Sequence, residues 1–122
     1  MEKNRKTVLI ADDDVDLLQL VQMQLQHAGF RVLLSVNGFG ITKLAESRPD
    51  IILLDITMDG ISGGDICLKL KANALTSSIP IIMFSANDNI EQIVHDCGAN
   101  DFVRKPFNAE VIREKIARNL PA

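Results

Sequence analysis

Four consecutive apolar residues, Ile51, Ile52, Leu53 and Leu54, run directly into a carboxylate at Asp55. A strand turns successive side chains to opposite faces, so an unbroken apolar run buries both faces. That arrangement arises where helices cover a parallel sheet on each side. Short runs rich in β-branched residues recur at 7–11, 31–36, 80–84 and 101–103, separated by longer stretches with helical spacing. Strands alternating with helices predict an α/β fold, doubly wound, with five parallel strands and helices on both faces.

The helices carry their own signals. Leu18, Val21, Leu25 and Ala28 recur at intervals of three and four and form one apolar stripe, which Gly29 ends from the C′ position. Gly98 is expected to end a later helix in the same way. Asn108 is placed as an N-cap, Glu110 suits the positive end of the helix dipole, and Ile112, Ile116 and Leu120 form the buried face. Residues 1–122 are expected to be a single domain with a polar tail over 1–6, large enough for a core without disulfides or structural metal. Pro121 and Ala122 follow the last helix, where either the protein ends or a further domain begins.

A net charge of −3 argues against direct nucleic-acid binding and against a membrane-surface role. No apolar run approaches the ~18 residues of a spanning helix, and the first residues lack a secretory signal. A cytoplasmic location is the expectation. Cys67 and Cys97 stand thirty positions apart without metal-ligand spacing, as reduced, packed thiols would.

In an open parallel sheet, ligands bind beyond the carboxyl ends of the strands. The first strand ends in Asp12, Asp13 and Asp14, the third in Asp55, the fourth in Ser85, and the fifth leads into Lys105. Each has an ordinary structural reading: the Asp run as a helix cap and turn, Ser85 as a strand-end cap, Lys105 as a surface charge. Taken together they point to chemistry. Two like charges ~4 Å apart at an effective dielectric of ~20 repel by roughly 4 kcal/mol, so converging carboxylates ask for a cation. Hard oxygen donors without His or thiolate fit Mg²⁺, with Mn²⁺ as an alternative. Mg²⁺ is commonly shared with a phosphoryl oxygen, Lys105 and Ser85 suit two others, and Asp55 is the carboxylate best placed to accept the phosphoryl group.

Four ordered segments, VLIADDDVD, IILLDITMDGISG, PIIMFSA and GANDFVRKPF, resemble the receiver domain of two-component response regulators, and the likeness covers residues 7–120. The resemblance implies a flavodoxin-like sheet in the order 2-1-3-4-5. It implies that Asp55 is phosphorylated by a sensor histidine kinase or a histidine phosphotransfer protein. Asp12, Asp13 and Asp55 would hold Mg²⁺ together with the Thr57 backbone carbonyl, Lys105 would pair with the phosphoryl group, and the Lys105–Pro106 bond would be cis. Ser85 and Phe102 would act as the switch, altering the surface of the fourth and fifth helices and the fifth strand. A downstream effector domain or protein, or a second copy of the chain, would read that surface. Such a domain catalyses only its own phosphorylation and dephosphorylation and is otherwise a regulatory module, not an enzyme.

The sequence departs from the family's common pattern at Asp59, where proline is usual, at Ser85 in place of threonine, and at Phe102 in place of tyrosine. Thr57 and Asn87 occupy positions that in the family influence the life of the phosphoryl group. Asp59 lends support to an alternative, a receiver-like interaction module that works without phosphorylation. An aspartate phosphatase would need a second acid where Thr57 stands, and a flavin carrier would be repelled by Asp12 to Asp14. Gly38-Phe39-Gly40 lacks the third glycine of a dinucleotide fingerprint. His27 and His95 are expected in surface or packing roles, and Glu110, Arg113, Glu114 and Arg118 on a solvated helix face.

Overall fold

The computed structural model describes residues 5–36, 40–58, 60–105 and 107–120, with Thr42 described by its backbone alone. The expectations for Pro106, Asp59, Phe39 and the first residues of the N-terminal tail therefore lie outside the described residues. Five strands, β1 (Thr7–Ala11), β2 (Arg31–Ser35), β3 (Ile51–Asp55), β4 (Ile81–Ser85) and β5 (Asp101–Arg104), form one sheet in the order β2-β1-β3-β4-β5. All four pairings are parallel, so every strand delivers its carboxyl end to the same rim.

Among the described residues, four helices connect them, α1 (Val15–His27), α2 (Ile41–Ala45), α3 (Gly63–Ala72) and α4 (Ile90–Cys97), and α5 (Ala109–Asn119) follows β5. Alternation along the strands sorts the core into two layers. Leu9, Ile52, Leu54, Ile81 and Met83 pack under α2, α3 and α4, whereas Ile10, Leu53, Ile82, Phe84 and Val103 pack under α1 and α5. All five residues of β3 are buried, which explains the unbroken apolar run that opens this central strand.

Several boundaries shift from the sequence reading. β3, β4 and β5 each continue one residue further, to Asp55, Ser85 and Arg104, because their parallel partners extend the ladder that far. β2 stops at Ser35 and β4 begins at Ile81, since Pro80 has no N–H to give. Ala28 is exposed and is the C-cap of α1 rather than part of its stripe; Leu18, Val21 and Leu25 are the buried residues. Gly29 and Gly98 both have positive φ, 99° and 78°, and stop their helices as expected. Leu120 lies past the end of α5 but still packs on the α1/α5 layer, below Ile112 and Ile116.

A two-residue antiparallel ladder, in which Thr57 pairs with Ser62 and Met58 with Ile61, follows β3 and was not foreseen from periodicity. It turns the chain so that α3 begins against the end of β3. There the Gly63 N–H donates to the Ile56 carbonyl, and a β-carbon on Gly63 would collide with the Asp55 main-chain oxygen. At the opposite rim, the Lys71 ammonium of α3 donates to Ile79 O at 3.0 Å and to Asn100 Oδ1 at 2.9 Å. Asn100 Oδ1 in turn accepts the Ile81 N–H at 2.9 Å, fastening α3 to the start of β4.

The crowding at Gly63 and the ordinary room at Gly64, whose β-carbon would meet its nearest neighbour at 3.5 Å, make a paired test. Gly63→Ala is expected to cost about 2 kcal/mol or more through displaced backbone, whereas Gly64→Ala stabilises by about 0.5 kcal/mol by restricting the unfolded chain. Urea denaturation of the two variants checks the contrast, which equal effects would contradict.

Candidate functional site

The carboxyl rim of β1, β3, β4 and β5 gathers the polar residues singled out from the sequence. Asp12 directly follows β1, and its main-chain N–H extends the ladder to Ser35 O at 3.1 Å. That continuation holds its side chain inside the molecule, fully buried. Burying a carboxylate demands partners. Asp12 Oδ1 accepts the Asp14 N–H at 3.0 Å, and Oδ2 takes the Lys105 ammonium at 2.8 Å. Asp14 itself accepts the Leu17 N–H at 3.1 Å and caps α1, so the structural reading of the Asp run holds for this third member.

Asp13 is exposed, at the mouth of the pocket. Asp55 ends β3 nearly buried, and its Oδ2 lies 3.7 Å from the Lys105 ammonium. One carboxylate oxygen from each of Asp12, Asp13 and Asp55 falls within 4.8 Å of the others. The convergence expected from the sequence is therefore present. Burial, and next the negative charge of Asp12, push the Asp55 carboxyl up from 3.8 to about 6, with Lys105 opposing them.

Lys105 reaches this position because β5 lies beside β4: its N–H donates to Ser85 O at 2.9 Å. Its ammonium also stands 5.1 Å from the centre of the Phe84 ring, which covers one side of the charge. Ser85 is half-buried at the same rim, its Oγ accepting the Asn87 N–H at 3.1 Å. Thr57 is exposed in the short ladder after Asp55. A cleft of about 320 Å³ lined by Asp14, Leu17, Ala86, Lys105 and Phe107 opens beside the acids.

Phe102 is not part of this pocket. It is half-buried on β5, packed against the layer under α2, α3 and α4, with the Arg104 guanidinium 5.5 Å and the Lys115 ammonium 5.6 Å from its ring centre. His27 and His95 are exposed, as expected. Cys67 and Cys97 are free and buried; the Cys67 thiol donates to Cys97 O at 3.3 Å, and burial pushes it up to about 12. On α5, Arg118 pairs with Glu114 at 2.9 Å across one turn. Sequence reasoning missed the cover that Phe84 gives Lys105 and the seat that Gly63 provides for α3. The spacing of an aromatic at the end of β4 and a glycine eight residues after Asp55 were the available signals.

Residues 8–117 match the family model described as the response regulator receiver domain. The chain belongs to this family. The receiver domain is similar to the DNA-binding response regulator MtrA of Mycobacterium tuberculosis, 32% identical over 126 residues that cover 98% of this chain and 54% of that protein. It is 41% identical to the sensory transduction protein RegX3 of Mycolicibacterium smegmatis over 117 residues, 92% of this chain and 48% of that protein. The receiver thus spans about half the length of these curated relatives.

Among solved structures, the chemotaxis protein CheY4 of Vibrio cholerae superposes with a TM-score of 0.88 at 27% identity, over 95% of this chain and 99% of that one. The receiver domain of sensor histidine kinase PA1611 from Pseudomonas aeruginosa, which holds a magnesium ion in its active-site cleft, gives 0.86 at 25% identity, over 93% and 96%. The flavodoxin-like order expected from the resemblance is the order observed. This is a regulatory domain of two-component signalling. No helix among the described residues is long and apolar enough to cross a membrane.

The raised Asp55 carboxyl makes a stability prediction. Folding lifts its pKa from 3.8 to about 6, so without divalent ions the native state loses stability as pH rises through that window. Asp55→Asn is therefore expected to stabilise the ion-free protein by the order of 1–2 kcal/mol at pH 7.5, with little of that gain left near pH 4. Denaturant titrations at the two pH values read the difference, and a gain that does not change with pH would contradict it.

Proposed function

We propose that the chain is the phosphoacceptor module of a two-component or phosphorelay system, with Asp55 as the acceptor. The observation that carries this reading is the meeting of three carboxylates from two separate βα turns around one lysine. With its pKa near 6, Asp55 is mostly ionised at pH 7 and can act as a nucleophile. A carboxylate oxygen of Asp55 attacks the phosphorus of a phosphohistidine, the P–N bond breaks, and the leaving imidazole keeps the electron pair and takes a proton.

The donor set suits a hard divalent ion. Asp12, Asp13 and Asp55, with the Thr57 backbone carbonyl, would hold Mg²⁺, or alternatively Mn²⁺, which supplies neutralisation of carboxylate and phosphoryl charge. Lys105 is already shared between Asp12 and Asp55 and would turn its ammonium to a phosphoryl oxygen. The Ser85 hydroxyl accepts from Asn87 and retains its own proton to donate to another oxygen. Displacement of Ser85 toward the phosphoryl group and of Phe102 inward would change the face formed by α4, β5 and α5.

Residues 1–122 act in this reading as a single cytoplasmic receiver. A sensor histidine kinase or histidine phosphotransfer protein supplies the phosphoryl group, and the downstream partner is an effector domain, a separate protein or a second copy docked through the α4-β5-α5 face. Direct contact with nucleic acid by this domain runs against its net charge of −3.

Incubation with Mg²⁺ and acetyl phosphate is expected to add one phosphate by intact-mass measurement, and Asp55→Asn to abolish it; equal labelling of the variant would overturn the assignment. Mg²⁺ binding requires Asp55 ionised, so the measured Kd is expected to rise by about tenfold per unit as pH falls below about 6. A Kd flat between pH 7 and pH 5 would contradict the participation of Asp55.

A further inference from the structure

Ser85 and Phe102 stand on neighbouring strands at different levels: Ser85 pairs in register with Arg104, two residues beyond Phe102. A continuous set of contacts nevertheless joins them through α4. Ser85 Oγ accepts the Asn87 N–H at 3.1 Å, and Asn87 Oδ1 accepts the Asn89 N–H at 2.7 Å. Asn87 O also accepts the Ile90 N–H at 3.2 Å. Asn89, at the N-cap of α4, makes no side-chain capping bond, so the start of this helix is held by Asn87 instead. The first turn of α4 therefore hangs from the Ser85 turn.

That same turn carries Glu91, whose Oε1 lies 3.5 Å from the Arg104 guanidinium. Arg104 in turn lies over the Phe102 ring. Phenylalanine has no hydroxyl to fix its position by a hydrogen bond, so packing and ring–cation attraction decide where this ring sits. Two cations face it, and their attachments differ. Lys115 is bound to Asp101 at 2.9 Å, and Asp101 is held again by Asn119 at 2.9 Å, all within β5 and α5. Arg104 alone is tied to an element that the Ser85 turn supports.

We propose that Glu91 and Arg104 form an electrostatic latch that holds the Phe102 ring in its half-buried place, and that the first turn of α4 carries a displacement of Ser85 to that latch. This rests on the phosphoacceptor reading and adds to it a pair of positioning residues specific to the Phe102 switch. Drawing the Ser85 hydroxyl toward a phosphoryl group removes the acceptor of the Asn87 N–H, loosens the start of α4, and lets Glu91 move away from Arg104. Once the latch opens, Phe102 is free to change its packing. Because the latch favours the ligand-free arrangement, removing it shifts the population toward the other one and raises the apparent affinity for a phosphoryl mimic. Exposed ion pairs and ring–cation contacts are individually weak, so the expected gain is about two- to fivefold.

The chain has five phenylalanines, so ¹⁹F NMR of protein labelled with para-fluorophenylalanine can follow the ring, its signal assigned by its loss in Phe102→Leu. Spectra are compared without ligand and with Mg²⁺ and beryllofluoride for the unsubstituted protein, Glu91→Gln, Arg104→Gln and the double variant. The latch predicts that each single variant moves the ligand-free Phe102 signal toward its beryllofluoride position and tightens beryllofluoride binding about two- to fivefold. It further predicts that the double variant goes no further than Arg104→Gln. A ligand-free signal that stays in place in both single variants, or effects that add independently, would overturn the latch while leaving the phosphoacceptor reading intact. Unsubstituted protein that gives no response to beryllofluoride and Mg²⁺ would overturn both.

Discussion

A single ammonium group between two carboxylates organises this domain. Asp12 is fully buried, and Lys105, at 2.8 Å, is the cation that makes its burial tolerable. Asp55 lies 3.7 Å from the same ammonium; burial, and next the negative charge of Asp12, push its carboxyl up to about 6 against the opposing pull of Lys105. The pocket is therefore short of positive charge by the layout of its sheet: β1 leads into two acids, Asp12 and Asp13, β3 ends in a third, Asp55, and β5 leads into one base, Lys105. In the proposed reading, a divalent cation and an incoming phosphoryl group would make good that imbalance in complementary ways, the first by meeting the acids and the second by giving Lys105 another partner.

Such a pocket costs stability, and the rest of the fold offsets the cost. Buried apolar strands, two covered faces and helix ends seated on the rim hold the acids close against their mutual repulsion. The seating is tight where it matters. Gly63 lets α3 start against the Asp55 main chain, and Asp14 caps α1 two residues after the buried Asp12. The same rim also meets the start of α4 through the Ser85 and Asn87 turn, so the pocket and the outer face share a boundary. In the proposed reading, a phosphoryl group at one end of that boundary would act on the packing at the other.

The layered fold was readable from the amino-acid order because a doubly covered sheet leaves an unambiguous imprint: apolar runs for strands, three-and-four spacing for helices. The acids at 12, 13 and 55 could be read as a cluster because parallel strands deliver their ends to one rim, a topological rule that needs no coordinates. What escaped was local and depended on partners far away in sequence. The ladder of Thr57 and Met58 with Ile61 and Ser62 is too short to leave a period. The exposure of Ala28 follows from where Gly29 turns the chain rather than from helical spacing. The two cations over Phe102 come from β5 and α5, and no pattern within either segment announces them.

The central claim is electrostatic, and carbon-13 NMR of the Asp55 carboxyl addresses it most directly. Titrated without divalent ions, that resonance is expected to show a midpoint near 6, displaced downward when saturating Mg²⁺ is present. A midpoint at the ordinary carboxylate value of 3.8, unmoved by Mg²⁺, would mean that Asp55 neither feels Asp12 nor shares a cation with it, and would contradict the account.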